Sequence, residues 1–242
     1  MPLISVHSPK GGVGTTSVAA RLALSFAERG MPVSVVDLTE QDGLKLHFGY
    51  APNRELPVSA AGGVDAPIVS GVRLVKMDRS GSEPATLVKA LADHASGHMV
   101  ILDIESADQR LAVAASQVAD LHLCIMEPTA PALASLVHLG GATGIAARSN
   151  FAIALNKVDE QYKLSRHCKK FLSDLYEKQF LGMVRRDEAS NEALALFEPL
   201  EKSAPNSVVL NDITSLANSI EARLEVLSRP KGGRPDSLRE AV

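Results

Sequence analysis

Residues 3–26, LISVHSPKGGVGTTSVAARLALSF, contain three patterns in immediate succession. The first five residues are a short β-rich run, which predicts a buried strand. Three closely spaced glycines then predict a tight loop. From Thr15 onward, apolar side chains recur every four residues, at Val18, Leu22 and Phe26, as is typical of a helix that buries one face. The stretch therefore predicts a strand, a glycine-rich loop and a helix.

The rest of the chain alternates between the same two kinds of element. Candidate strands cover residues 33–37, 72–77, 100–103, 121–126, 152–156 and 180–184. Candidate helices lie near residues 83–95, 107–118, 130–147, 161–178 and 207–228. Such alternation predicts an α/β fold, a mostly parallel sheet with helices on both faces. Residues 50–70, with three prolines and two adjacent glycines, are predicted to be a surface excursion.

Length and composition predict one domain over residues 1–228 and a flexible tail over 229–242. The chain has 242 residues, 45% of them hydrophobic, which is enough for one substantial core. Its 25 basic and 28 acidic residues give a net charge of −3, so no overall positive field favours direct nucleic-acid binding. Two cysteines in unrelated settings and a start without basic residues favour a cytoplasmic location over secretion.

The glycine-rich loop has the form of a phosphate-binding Walker A loop, GxxxxGK[ST], with one part missing. Thr15 stands where that pattern has its lysine. Free backbone N–H groups and the positive end of the following helix favour an anion here. Gly11, Gly12 and Gly14 lack Cβ atoms and allow close approach to a phosphate. Thr16 occupies the position of the hydroxyl that binds Mg²⁺.

Two aspartates end candidate strands that should reach the same edge of the sheet. Asp37 closes the second strand, and Asp103 closes MVILD, a run shaped like a Walker B strand. Each could by itself simply cap a helix. Together with the loop, they predict two carboxylates beside an Mg²⁺ ion that bridges phosphates.

The motif PKGGVGTT, combined with Asp37 and the run VILD, resembles the deviant Walker A ATPases of the MinD/ParA family, which have a P-loop NTPase fold. In that family a lysine at the front of the loop, here Lys10, reaches across an ATP-sandwiched dimer to the partner's nucleotide. The resemblance implies ATP and Mg²⁺ as cofactors and an ATP-dependent homodimer. It also implies catalytic roles for Lys10 and Asp37.

Three stretches, GGVGTT, VVDLTEQDGLKLHF and LGMVRRDEASNEAL, are similar to the BcsQ family within that superfamily. Members of this family, encoded in bacterial cellulose-synthase operons, also lack the usual loop lysine. The resemblance extends to about residue 220. It implies a regulatory or scaffold subunit that works with membrane and cytoplasmic subunits of a cellulose synthase complex, and it implies membrane recruitment through those partners.

Two departures from the MinD/ParA pattern predict weak or absent ATP hydrolysis. Thr39 lies where hydrolysing members often have a second aspartate that orients the attacking water, and a hydroxyl is a poor base. With Thr15 in the loop, a fixed positive charge near the β- and γ-phosphates is lost as well. Whether the chain is an enzyme stays open. The alternative is an active MinD/ParA-type ATPase that positions or partitions cargo.

The identity of the base also has two interpretations. The sequence NKVD at Asn156–Asp159 looks like the guanine-binding NKxD motif, which makes a GTP-dependent switch a further alternative. MinD-like proteins also have an asparagine beside adenine at this point, and we favour ATP. Arg186 and Asp187, in the loop after the last candidate strand, are further candidates to flank the base together with Asn156.

Overall fold

A computed structural model of the chain describes residues 1–59, 65–77, 79, 81–95, 97–140 and 144–229. Nine strands in these ranges form one sheet: β1 (Leu3–His7), β2 (Val33–Asp37), β3 (Val58–Ser59), β4 (Ile68–Val69), β5 (Val72–Met77), β6 (Met99–Asp103), β7 (Leu121–Met126), β8 (Phe151–Val158) and β9 (Phe180–Arg185). Their order is β3-β5-β2-β6-β1-β7-β8-β9, and each neighbouring pair in it is parallel. Only β4, among the described strands, is antiparallel, and it pairs with β5.

Helices cover both faces of this sheet. They are α1 (Thr15–Glu28), α2 (Pro84–His94), α3 (Gln109–Val118), α4 (Ala130–Ala134), α5 (Lys163–Tyr176), α6 (Ala189–Ala195), α7 (Leu200–Ser203) and α8 (Val208–Ser228). Apolar residues of α1 and α8 belong to one buried cluster, and those of α2, α3 and α5 belong to the other. The predicted fold class, a mostly parallel sheet with helices on both faces, is confirmed.

The central strands are buried on both faces, which explains their continuous apolar character. In β2, Val33 and Val35 pack into the cluster under α1, whereas Val36 packs into the cluster on the opposite face. Successive side chains of a strand alternate between faces, so a strand covered on both sides needs apolar residues at successive positions. Burying each such side chain contributes about 1.5–3 kcal/mol.

The predicted buried helix over 130–147 is wrong. Helix α4 ends at Ala134, and two short 3-10 turns follow it, at Ser135–Leu139 and Ile145–Ala147. Residues 141–143 lie outside the described part of the chain. The hydroxyl of Ser135 donates a 2.6 Å hydrogen bond to the Ala132 carbonyl, and Gly144 has φ 57°, a left-handed conformation that interrupts a helix.

The predicted surface excursion over 50–70 is tied to the sheet in its described part. Strands β3 and β4 lie within it and both pair with β5. Leu56 and Ala66 are buried. Residues 60–64 lie outside the described residues, as do residues 230–242 of the predicted tail. The division into a domain over 1–228 and a tail over 229–242 stays a prediction.

Three strand ends converge where the sequence predicted a site. Strand β6 lies between β1 and β2, and Asp103 is the register partner of both Val6 and Asp37. The loops that leave β1, β2 and β6 therefore start side by side at the carboxyl edge of the sheet, where α/β folds bind their ligands.

Candidate functional site

The glycine-rich loop joins β1 to α1 and opens at the N-terminus of that helix. Gly14 is the N-cap residue, with φ 90° and ψ 30°, and Gly12 has φ 80°. At the front of the loop, the Ser8 hydroxyl accepts a 3.1 Å hydrogen bond from the Lys10 backbone N–H and donates one of 3.0 Å to the Lys10 carbonyl. The first N–H groups of a helix have no partner within it, and in many proteins such groups bind phosphate.

The C-terminal end of β8 contacts the glycine-rich loop. The side-chain amide of Asn156 is buried and donates a 2.8 Å hydrogen bond to the Val13 carbonyl. A Cβ atom at Gly14 would collide with that same amide nitrogen. Glycine is therefore required at position 14 both by its backbone conformation and by the space that Asn156 occupies.

Asp103 is a buried carboxylate beside Thr16. Neither of its oxygens has a well-formed hydrogen bond to another described residue. Burial raises its pKa to about 7; the nearby Thr16 hydroxyl lowers the pKa, and Asp37 and Glu105 raise it. A buried carboxylate without partners is costly. A divalent cation next to Thr16 would stabilise the ionised form, and hydroxyl and carboxylate oxygens are the donors that Mg²⁺ prefers, so these residues fit the ion.

Asp37 has a different environment, since its oxygens are occupied. One accepts hydrogen bonds from the backbone N–H and the hydroxyl of Thr39, at 2.9 and 2.7 Å, and the other accepts a 3.3 Å bond from the Leu44 N–H. Burial raises the pKa of Asp37 despite these bonds, and Asp42 raises it further. Asp37 thus shapes the loop after β2, and it lies beside Asp103 across the sheet.

We expect Asp103→Asn to remove a loss of stability that the wild-type protein shows as pH rises. The native state holds a proton on Asp103 up to about pH 7, whereas the unfolded chain releases it near pH 4. The contribution of Asp103 to stability is therefore greatest below about pH 4 and falls between about pH 4 and 7, by at most about 4 kcal/mol. Urea unfolding of both proteins at pH 4 to 8 without Mg²⁺ measures this. Asp37 affects the pH dependence of both proteins, so the prediction concerns the difference in unfolding free energy between wild type and variant. If the two plots of unfolding free energy against pH were parallel, the prediction would be contradicted.

A cleft of about 620 Å³ extends from the loop to the region between β9 and α8. At one end Gly11, Gly12, Gly14, Thr15 and Thr16 line it. At the other end it has an apolar wall made by Val184, Leu194, Val209 and Ile213. An anion-binding end joined to an apolar end matches the two halves of a nucleotide, the phosphates and the base.

Of the residues predicted to flank the base, Asn156, Arg186 and Asp187 all line the cleft. The carboxylate of Asp187 accepts a 2.6 Å bond from the Ser207 hydroxyl and a 3.1 Å bond from the Ala189 N–H. The bond from Ser207 is the main reason why its pKa is lowered. Asp187 therefore holds the loop after β9 against the start of α8, and contact with a base stays a prediction for all three residues.

Lys10 lies at the front of the loop, and its ammonium group donates a 3.1 Å hydrogen bond to the Gly11 carbonyl in an exposed position. It does not line the cleft of its own chain, within the residues described. In this location the ammonium group is accessible to solvent and to another molecule. Its contact with a partner's nucleotide stays a prediction.

Four basic residues that line the cleft were not predicted as site residues from the sequence: Arg21, His47, Lys157 and Arg185. Arg21 is only 3% exposed, and its guanidinium lies 3.5 Å from Glu201. Burial lowers the pKa of His47 to about 3. A charged residue within the apolar pattern of α1 was the available signal for Arg21, and Lys157 stands within the NKVD motif. His47 and Arg185 had no such signal, since their positions in the cleft depend on tertiary packing.

Other reactive side chains offer no second site in the described part of the chain. Both cysteines are buried and free. No group of three or more His, Cys, Asp or Glu side chains that could hold a metal ion occurs among the described residues. None of the described helices is both long enough and apolar enough to span a membrane.

The order of the parallel strands and the glycine-rich loop before α1 give the chain a P-loop NTPase fold of the MinD/ParA type. A family model for the cellulose biosynthesis protein BcsQ matches residues 1–63 and 73–220. The chain belongs to the BcsQ family.

The chain is similar in sequence to one curated relative and similar in fold to several solved structures. The protein ParA of Rhizobium radiobacter is 30% identical over 131 residues, which cover 54% of this chain and 50% of that protein. The chain thus matches only about half the length of this relative. The septum site-determining protein MinD of Pyrococcus horikoshii, solved with Mg-ADP, has a TM-score of 0.71 at 19% identity, covering 95% of this chain and 99% of that one. A variant of McdA from Cyanothece, solved in complex with ATP, gives 0.70 at 16% identity, covering 93% and 96%.

Proposed function

We propose that this chain binds ATP with Mg²⁺, dimerises through its nucleotide face and serves as a regulatory or scaffold subunit in bacterial cellulose biosynthesis and secretion. One observation carries the proposal. The glycine-rich loop and Thr16 line one cleft, and Asp103 lies beside Thr16, whereas the two charged groups expected for fast hydrolysis are replaced by Thr15 and Thr39.

In this proposal, the loop binds the phosphates and three side chains bind Mg²⁺ or its waters. Backbone N–H groups from Gly11 to Thr16 bind the phosphate oxygens. The Thr16 hydroxyl and the Asp103 carboxylate hold Mg²⁺, either directly or through its waters, and Asp37 positions those waters. When bound, the ion neutralises charge between the phosphates. The Mg-ADP and ATP in the MinD and McdA structures support the choice of cofactor.

Slow hydrolysis follows from the residues at the phosphate end. The hydroxyl of Thr39 is committed to Asp37 through a 2.7 Å hydrogen bond and cannot accept a proton from water at neutral pH. Thr15 contributes no positive charge to stabilise the transition state. Lys10 would supply such charge to the nucleotide of the partner subunit. Its contact would therefore stabilise the dimer only while nucleotide is bound.

The cellular role rests on the family. Membership of the BcsQ family of cellulose biosynthesis proteins supports work with subunits of a cellulose synthase or secretion complex. We propose that the chain does so on the cytoplasmic side and that those partners recruit it to the inner membrane. The net charge of −3 supports a role without direct nucleic-acid binding. The alternative, an active MinD/ParA-type ATPase for spatial positioning, predicts steady phosphate release comparable to that of such enzymes.

Native mass spectrometry of the purified protein with Mg²⁺ and equal ATP and GTP tests this proposal. It gives the nucleotide identity, the number of phosphates and the number of subunits together. A dimer with two intact ATP molecules after long incubation is the expected result. A monomer without nucleotide would overturn the proposal, and rapid conversion to ADP would favour the active ATPase.

For the GTP alternative, we expect Asp159→Asn to leave the preference between ATP and GTP unchanged. In the NKxD interpretation this carboxylate accepts hydrogen bonds from guanine, yet here Asp159 does not line the cleft. Its side chain instead accepts a 2.9 Å bond from the Gln161 N–H. Competition binding of ATP and GTP to both proteins checks this, and a selective loss of GTP affinity would restore the guanine interpretation.

A further inference from the structure

Four lysine and arginine side chains line the cleft within the described residues, and three of them have carboxylate partners. Asp212 holds Arg185 through two hydrogen bonds of 2.8 and 2.7 Å. Arg21 lies 3.5 Å from Glu201, and Arg186, at the base end, lies 3.7 Å from Glu188. Lys157 is the fourth, and in the described part of the chain no carboxylate pairs with it. Its charge is available to a ligand.

The ammonium group of Lys157 lies on the glycine-rich loop. It donates a 2.6 Å hydrogen bond to the carbonyl of Gly12. Its Cε atom would be 3.6 Å from a Cβ atom at Gly14, so the side chain runs along the loop on the side of the cleft. An ammonium group has three N–H donors, and this bond uses one of them.

The backbone at Lys157 is shaped to direct the side chain there. In the pairing of β8 with β9, Leu155 faces Met183 and Val158 faces Arg185, so three steps along β8 match two along β9. This extra residue is a bulge, a feature that redirects side chains beside functional sites. Lys157 also has φ 55°, a left-handed conformation that a lysine seldom adopts. Strained backbone of this kind is concentrated at ligand sites.

We propose that Lys157 supplies, from within the same chain, the positive charge that Thr15 removes from the loop. Its ammonium group binds the β- and γ-phosphates of the nucleotide while it stays close to the Gly12 carbonyl. This inference rests on the proposed ATP binding. It differs from the role expected of Lys10, because Lys157 acts on its own subunit's nucleotide and does not need a dimer.

The test is isothermal titration of ATP and AMP, with Mg²⁺, into the wild type and Lys157→Met. We expect ATP binding to weaken about 10- to 100-fold, since a charge-assisted bond to phosphate is lost. AMP, which lacks the β- and γ-phosphates, should bind almost unchanged. Lys170→Met is the matched control: Lys170 is an exposed lysine on α5 that pairs with Asp174, and its loss should change neither affinity.

Two further variants separate charge from folding. Lys157→Gly removes the charge and suits the positive φ, so it should weaken ATP binding equally without lowering the thermal unfolding temperature. Adding Thr15→Lys to Lys157→Met should restore most of the ATP affinity, because a cation returns to the loop. Equal loss of ATP and AMP, or failure of this rescue, would overturn the proposal.

The inference and the proposed function can fail separately. If the wild type binds ATP and Lys157→Met binds it equally well, Lys157 has no such role and the proposed function stands. If the wild type binds no ATP at any protein concentration, the proposed function is wrong and the role of Lys157 is wrong with it.

Discussion

Gly14→Ala should weaken ATP binding more than a hundredfold while the sheet still folds. A methyl group at position 14 would collide with the Asn156 amide, which donates to the Val13 carbonyl at 2.8 Å. Either Asn156 or the loop has to move, and both line the cleft in which we propose that the nucleotide binds. A hundredfold change corresponds to about 2.7 kcal/mol, the scale of a lost pair of hydrogen bonds to a charged ligand. Titration calorimetry measures it.

Gly30→Ala is the control for backbone strain alone. Gly30 has φ 78°, but nothing lies within 4 Å of the position that its Cβ would take. This variant should lose about 1–2 kcal/mol of stability and keep its ATP affinity. If Gly14→Ala bound ATP like the wild type, the contact between β8 and the loop would not shape the phosphate site.

The double variant Thr15→Lys/Thr39→Asp should release phosphate from ATP about 10²-fold faster than the wild type, or more. The first change returns a positive charge to the phosphates, and the second places a carboxylate at the loop after β2 that can orient the attacking water. Steady-state phosphate release with Mg²⁺ measures the gain. It tests whether these two positions are what limits hydrolysis.

Each single variant serves as a control for the pair. The effects of groups that act together in catalysis are strongly non-additive. Either change alone should therefore raise the logarithm of the phosphate-release rate by much less than half of the increase in the double variant. An unchanged rate in the double variant, with ATP binding intact, would locate the barrier elsewhere in the cleft. Rapid phosphate release by the wild type would directly contradict the proposal that Thr15 and Thr39 make hydrolysis slow.

The sheet was predictable because its strands carry local signals. Strands β1, β2, β5 and β7 begin and end at the predicted residues. Strands β1, β2 and β7 are largely apolar, as burial on two faces requires, whereas β5 contains Arg73 and Lys76 among its apolar residues. The meeting of Asp37 with Asp103 was predictable for a related reason, since parallel strands bring their carboxyl ends to one edge.

Features that depend on distant packing were not predictable. Nothing near Lys157 in the sequence indicates a bulge, which arises from the pairing of β8 with β9, or a contact with Gly12, 145 positions earlier. Apolar content alone suggested a helix over 130–147. That segment consists largely of small residues and glycines, which bury too little surface to sustain one. Val137 within it is 73% exposed.

Helix α8 connects the cleft to a remote part of the surface. Val209 and Ile213, in its first two turns, form part of the apolar wall, and Arg185 of β9 is clamped to Asp212 between them. With 21 residues the helix is about 30 Å long. Beyond the cleft the same helix buries Leu216, Ala217 and Ile220 in the cluster that it shares with α1. The apolar wall of the cleft and the hydrophobic core on this face of the sheet are therefore parts of one continuous helix.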